Sequence, residues 1–115
     1  MNEIAAEDYR VGYAPESGEV SFHGTLRLNG TEEYAPIIDL LDTAANSSNE
    51  KLSLNLQALD FLNSSGINML SKFVIKMRQR GDLQIIVRGS RQIPWQGKSL
   101  KNLQRLMPSL ELLFE

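Results

Sequence analysis

The sequence contains no cysteine, so it can form neither a disulfide framework nor a thiolate metal site. Its only histidine, His23, has no cluster of further ligands around it, which argues against metal binding and against a catalytic base. No apolar run approaches the roughly 18–20 residues of a membrane span, and the N-terminus lacks the basic flank and apolar core of a signal peptide. From these absences we expect a cytoplasmic protein that uses no metal and no cofactor and does not enter the membrane.

Sequence features of the common catalytic classes are also missing. Ser64 and Ser65 lie outside any G-x-S-x-G nucleophile elbow, and no glycine-rich phosphate loop of Walker or Rossmann spacing is present. The chain is therefore predicted not to be an enzyme and not to phosphorylate itself.

The charges are distributed unevenly along this chain of 115 residues and net charge −2. Residues 1–50 hold ten acidic side chains and two basic ones, whereas residues 51–115 hold ten basic and four acidic ones. Cations at helix ends and on solvated faces explain this asymmetry most simply. The functional alternative is a basic face that steers an acidic protein partner. The acidic pI of 5.4 and the lack of a basic stripe interleaved with aromatics argue against nucleic-acid binding.

Hydrophobic periodicity divides the chain into strands and helices. Five segments have the alternating or continuous apolar pattern of strands: 9–13, 20–28, 51–57, 83–87 and 110–113. Three segments have helical spacing, with Thr31 and Ser99 as predicted N-caps of the first and third and residues 63–65 at the start of the second, and residues 89–98 are predicted to form a long loop. Gly24 predicts a bulge or a close backbone approach in the second strand. The order ββαβαβαβ predicts one α/β domain over residues 1–115, a central mixed sheet of about five strands with three to four helices packed on it.

The most informative segment joins a strand to a helix. Residues 52–57 alternate as in a half-buried strand, and from Ile67 onward apolar residues recur at helical spacing until Gly81. Asn63-Ser64-Ser65 therefore falls at the N-terminus of the helix, where free N–H groups and the positive end of the helix dipole favour negative charge. A phosphate on Ser64 would be stabilised there by its own chain.

The segment 59–70 resembles the signature of the STAS family, of the anti-sigma-factor antagonist type. That signature is an apolar strand, an aromatic and an apolar residue, and then Asp-Ser-Ser/Thr-Gly at the start of a helix. Phe61 and Leu62 fill the aromatic and apolar positions here, and Asn63-Ser64-Ser65-Gly66 fills the tetrad, with Asn63 in place of the usual Asp. Asn caps a helix about as well as Asp, so the fold should tolerate this change. A second acidic position of the family corresponds to Asn55.

The resemblance implies a bacterial, non-enzymatic partner-switching protein. Ser64 is then the regulatory phosphoacceptor, modified by an ATP-binding serine kinase of the anti-sigma type and reset by a separate serine phosphatase. The implied partner-binding surface comes from two segments of the chain: Thr25, Arg27 and Asn29 in the first, and Phe61, Leu62, Asn63, Ser65, Gly66 and Ile67 in the second. The resemblance leaves self-association into a weak homodimer open.

Other interpretations of the same residues stay open at this level. Asn63 and Asn55 favour a constitutive scaffold that binds its partner or itself without modification. Ser64 taken alone fits a plain capping hydroxyl. Trp95 fits either a lid over the edge of the core or an anchor for a partner. A pocket covered by residues 89–98 would instead make the chain a sensor of a small ligand.

Overall fold

The computed structural model describes residues 2–48 and 50–115. The helices and strands follow one another in these ranges as β1 Asn2–Ala5, β2 Tyr9–Ala14, β3 Glu19–Leu26, α1 Gly30–Ser47, β4 Lys51–Leu62, α2 Ser64–Arg80, β5 Gln84–Gly89, α3 Gln96–Leu106 and β6 Glu111–Phe114. The predicted α/β class is confirmed. The described part of the chain has six strands and three helices, one strand more than predicted.

The strands form one mixed sheet in the order β1-β2-β3-β4-β5-β6. The pairs β1–β2 and β2–β3 are antiparallel, whereas β3 to β6 are parallel. A parallel pair needs a long crossover, and each of the three crossovers contains one helix. The C-terminal ends of β3 and β4 therefore meet at one edge of the sheet, and α1 and α2 both begin near that edge.

The helices lie side by side on one face of the sheet, since α2 contacts both α1 and α3. In β2 to β5, alternate side chains are buried, and most of those between them remain at least partly exposed. The core thus lies between the sheet and the helices, and the other sheet face is open. None of the described helices is both long and apolar enough to span a membrane.

Gly24 lies at an irregular point of β3. The pairing with β4 shifts register between Ser21 and His23 and again between Gly24 and Thr25. Gly24 has a φ of 91°, and a side chain there would collide with the carbonyl oxygen of Asp8. The predicted bulge is confirmed, and it lies just before the segment that reaches the candidate site.

The prediction of Thr31 as the N-cap of α1 is wrong. The helix begins at Gly30 after Asn29, whose backbone is extended with φ −101° and ψ 115°. The Asn29 N–H donates to the Oε1 of Glu33 at 2.9 Å, so a side chain from the first turn caps the helix. Thr31 is already helical and is exposed.

Other elements also differ from the prediction. Helix α3 begins at Gln96, so Ser99 lies inside it and does not cap it, and the loop expected over 89–98 is shorter. Strand β4 continues past residue 57 to Leu62. Strand β1 was not predicted, because four residues at a sheet edge are too short to show a periodic pattern.

Candidate functional site

The joint between β4 and α2 holds the predicted phosphoacceptor. Ser64 is the first residue of the 17-residue helix α2, and it is exposed. Asn63 precedes it as the N-cap, with an extended backbone of φ −78° and ψ 176°. The first N–H groups of a helix have no partner within the helix, and the positive end of the dipole lies there. Ser64 is therefore an exposed residue at a position where the helix terminus favours an anion.

The side chain of Asn63 makes three hydrogen bonds. Its Oδ1 accepts from the backbone N–H of Gly66 at 2.9 Å and from the hydroxyl of Tyr34 at 2.7 Å. Its Nδ2 donates to the carbonyl of Leu28 at 2.8 Å. Because a backbone N–H can only donate and a carbonyl can only accept, these partners fix the orientation of the amide. An ionised Asp has no donor and could not make the bond to Leu28.

Tyr34 links helix α1 to this cap. Its side chain is buried, and burial raises the pKa of its phenol above the ordinary value of 10.0. The phenol therefore keeps its proton at neutral pH and remains a donor to Asn63. Through the amide of Asn63, the start of α2 is connected to α1 and to the segment that follows β3.

Gly66 allows the first turn of α2 to pack closely against its surroundings. A Cβ at this position would collide with the side chain of Leu62 and would lie 2.7 Å from the Tyr34 hydroxyl. Gly66 and Leu62 are both buried. These two residues of the predicted partner-binding set therefore lie beneath the surface and hold the shape of the joint.

The segment that follows β3 runs beside the joint. Leu26 pairs with Leu62 in parallel register, and the Asn63 N–H donates to the Leu26 carbonyl at 3.1 Å. Farther along, the Oγ of Ser65 accepts from the N–H of Gly30 at 3.4 Å. The structure thus brings together the two segments that the sequence predicts to bind a partner.

The exposed residues of these segments form one surface, which we call the Ser64 surface: Arg27, Asn29, Phe61 and Ser64. The guanidinium carbon of Arg27 lies 4.8 Å from the centroid of the Phe61 ring, the geometry of a cation–π contact. The remaining predicted partner-binding residues are half-buried and border this surface: Thr25, Asn63, Ser65 and Ile67.

A groove between α1 and α2 begins next to Ser65. Its volume is about 330 Å³. Apolar and charged side chains line it, chiefly Ile38, Leu41, Met69, Phe73, Lys72 and Lys76. No sequence pattern indicates this groove, because its existence depends on how closely the two helices approach each other. Met69 and Phe73 are buried.

The region under Trp95 offers no cavity for a ligand. Side chains from β4, α2 and α3 meet Trp95 there without leaving space for a water molecule. The indole N–H donates to the carbonyl of Leu59 at 3.1 Å. Trp95 is half-buried and packs against the core, which agrees with its interpretation as a lid. The predicted ligand sensor therefore has no pocket at residues 89–98.

Gln96 supports the part of β4 that leads to the joint, a role that no sequence pattern indicates. Strand β4 pairs with β5 only as far as Asn55. Beyond that point the fully buried Gln96 donates from Nε2 to the carbonyls of Leu56 at 2.6 Å and Leu59 at 3.1 Å. Its Oε1 accepts from the N–H of Ser90 at 2.8 Å. One side chain thus replaces the missing strand partner.

Asn55 lies on the open face of the sheet, away from the Ser64 surface. Its Nδ2 donates to the Oε1 of Glu19 at 3.4 Å. The guanidinium of Arg88 pairs with Glu115 at 3.1 Å and with Glu19 at 3.0 Å, and these two carboxylates raise its pKa. This cluster is a local ion-pair network. Within residues 2–48 and 50–115, no three His, Asp or Glu side chains gather as a metal site would require.

Comparison with known proteins bears on the fold. No protein-family profile matches the chain, and no curated protein is significantly similar in sequence. Apo-SiaC from Pseudomonas aeruginosa matches with a TM-score of 0.72 and 15% identity, covering 100% of this chain and 99% of that chain. The chain has the fold of SiaC.

Two further solved structures from Pseudomonas aeruginosa support this result. The diguanylate cyclase SiaD in complex with its activator SiaC contains a chain that matches with a TM-score of 0.72 and 16% identity, covering 97% of this chain and 96% of that chain. Another SiaC structure has a TM-score of 0.64 and 15% identity, with 99% and 96% covered. At these identities the likeness concerns the fold, and the predicted STAS-like arrangement of a mixed sheet with packed helices is confirmed.

Proposed function

We propose that this chain is a non-enzymatic regulatory protein whose binding to a partner is controlled by phosphorylation of Ser64. The exposed position of Ser64 as the first residue of α2 carries the proposal. A serine kinase of the anti-sigma type transfers the γ-phosphoryl group of ATP to the Oγ of Ser64. The hydroxyl proton passes to a base of the kinase, and ADP leaves. A serine phosphatase restores the hydroxyl by hydrolysis and releases inorganic phosphate.

The local structure suits a phosphate at position 64. A negative charge in the first turn of a helix is stabilised by about 0.3–1 kcal/mol. The preceding residue is the neutral Asn63, so no carboxylate adjacent in the chain repels the phosphate. We therefore expect the modified chain to stay folded and the phosphate to change which proteins can bind the Ser64 surface.

The expected effect on binding is large. The Ser64 surface contains the aromatic ring of Phe61, which is 38% exposed, and one charged side chain, that of Arg27. Phosphorylation adds about −1.5 to −2 charges to it. Burying that charge in an interface, or placing it against a carboxylate, costs several kcal/mol. Since each 1.4 kcal/mol changes affinity about tenfold, we expect a loss of two or more decades.

The solved complex suggests a class of effector. SiaC is the activator of the diguanylate cyclase SiaD in a structure that this chain matches. By analogy, the Ser64 surface binds an effector protein, with a nucleotide cyclase among the candidates, in addition to the kinase and the phosphatase. This proposal involves neither nucleic acid nor a membrane.

A constitutive scaffold is the second candidate, and the contacts of Asn63 favour it. Its amide bonds to Gly66, Tyr34 and Leu28, which explains the residue without any role in kinase recognition. Such a scaffold would bind its partner, or a second copy of itself, with Ser64 unmodified.

An intact-mass measurement after incubation with the cognate kinase and ATP separates the two candidates. The switch predicts a gain of one phosphate that disappears in Ser64→Ala. The matched variant Ser65→Ala should keep that gain, because the Ser65 hydroxyl is half-buried and faces Gly30. Binding of the partner to the same samples should then fall at least about 100-fold on modification. Tight binding without any gain of mass would support the scaffold.

A further inference from the structure

Arg27 and Phe61 form an exposed pair beside Ser64. The guanidinium lies 4.8 Å from the centre of the ring. No carboxylate in the described part of the chain forms an ion pair with Arg27. A cation–π contact at an exposed site is weak, so the guanidinium can exchange it for a stronger partner.

The backbone places Arg27 close to Ser64. Leu26 is paired with Leu62, and its carbonyl accepts from the Asn63 N–H, so the backbone of Arg27 lies beside Asn63. Neighbouring strands are about 4.8 Å apart, a gap that an arginine side chain can bridge. Phe61 and Ser64 lie on either side of this position, and both are exposed.

We infer that Arg27 is the internal ligand of a phosphate on Ser64, and that its guanidinium leaves the Phe61 ring when Ser64 is phosphorylated. This inference rests on the proposed phosphorylation. A guanidinium can bind phosphate through two parallel charge-assisted hydrogen bonds, which are stronger than its contact with an exposed ring.

The exchange alters two features of the Ser64 surface at once. It pairs the phosphate with Arg27, and it uncovers the ring of Phe61. A partner of the unmodified chain meets an arginine lying over the ring, whereas a partner of the modified chain meets a bare ring next to an arginine–phosphate pair. Phosphorylation thus rearranges the surface in addition to charging it, and it creates an apolar contact specific to the modified form.

The test uses the full chain with phosphoserine inserted at position 64 during translation, so that no kinase is needed. Phosphorus NMR follows the second ionisation of the phosphate, whose pKa is about 6 without a partner. Contact with arginine favours the dianion and lowers this pKa. We expect Arg27→Ala to raise it by about 0.3–0.7. Arg80→Ala is the control and should leave it unchanged, because Arg80 lies about 24 Å away along α2, beyond the range of screened charges.

Proton NMR tests the movement of the guanidinium. The side-chain protons of Arg27 should show a ring-current shift in the unmodified chain and lose it when phosphoserine is present. Phe61→Leu removes the competing ring and should lower the phosphoserine pKa further. An unchanged pKa in Arg27→Ala, or a ring-current shift that survives phosphorylation, would overturn the inference. Phosphoserine is inserted directly here, so a failure of this inference is distinct from a failure of the proposed function. The latter would appear as no gain of mass after incubation with the kinase.

Discussion

Replacing Asn63 with Asp removes one hydrogen-bond donor and keeps the size of the side chain. The Oδ1 end retains its bonds from Gly66 and Tyr34. The other end presents an oxygen to the Leu28 carbonyl, which the amide nitrogen approaches to 2.8 Å in the native chain. Two acceptors then face each other at a half-buried position.

The energetic cost follows from these contacts. A buried carbonyl left without its donor costs about 1–3 kcal/mol. The new carboxylate offsets part of this cost, because a negative charge at a helix N-terminus contributes about 0.3–1 kcal/mol. We expect the free energy of unfolding to fall by about 1–2 kcal/mol at neutral pH. With a urea m value of about 2 kcal/mol per M, the unfolding midpoint should drop by about 0.5–1 M.

Urea unfolding followed by the fluorescence of Trp95, the single tryptophan, measures this effect. Asn68→Asp is the matched control, since it adds the same charge at an exposed position of α2 and should change stability by less than about 0.5 kcal/mol. Asn63→Ala loses all three bonds and should cost more than Asn63→Asp. If Asn63→Asp were no less stable than Asn68→Asp, the role assigned to the Leu28 bond would be refuted.

Three further predictions concern the supports of the joint. Gly66→Ala should lose about 1–3 kcal/mol of stability through overpacking. The control Gly97→Ala should be neutral or gain up to about 1 kcal/mol, because a Cβ there meets nothing within 4 Å. Equal effects of the two substitutions in denaturation would contradict the close packing at Gly66. Tyr34→Phe should lose about 0.5–1.5 kcal/mol at neutral pH. Because burial raises the pKa of Tyr34 in the folded state, only the wild type should lose stability as the pH rises above 10.0, and a constant difference between the two in alkaline denaturation would argue against burial of the protonated phenol. Gln96→Glu would bury a carboxylate against two carbonyls and should cost more than about 2 kcal/mol of stability. The exposed control Gln92→Glu should change stability by less than about 0.5 kcal/mol. Similar stability of the two variants in thermal unfolding would exclude the proposed support of β4.

Features that depend on adjacent residues could be predicted from the sequence. Asn63 caps α2 as expected, because capping needs a short polar side chain three residues before the N–H that it bonds. Gly81 ends the helix with a φ of 74°, a left-handed conformation that favours glycine. The exposure of Ser64 follows from the same local pattern, since the apolar stripe of α2 turns the first helical residue outward.

Features that depend on distant contacts could not be predicted. The bond from Tyr34 to Asn63 joins residues 29 apart, and no local pattern indicates it. Gln96 has the composition of a surface residue and is buried only because β4 outruns its partner strand. The stacking of Arg27 on Phe61 likewise depends on the parallel register of β3 and β4. These contacts explain why the site accepts Asn63 where the resemblance leads one to expect Asp.

The occupancy of phosphate at position 64 in the chain isolated from its own cells tests the central claim most directly. Peptide mapping by mass spectrometry distinguishes Ser64 from Ser65. The account predicts phosphate on Ser64, in a fraction that changes under conditions that change partner binding, and none on Ser65. A chain that never carries phosphate on Ser64, or carries it only on Ser65, would contradict the account.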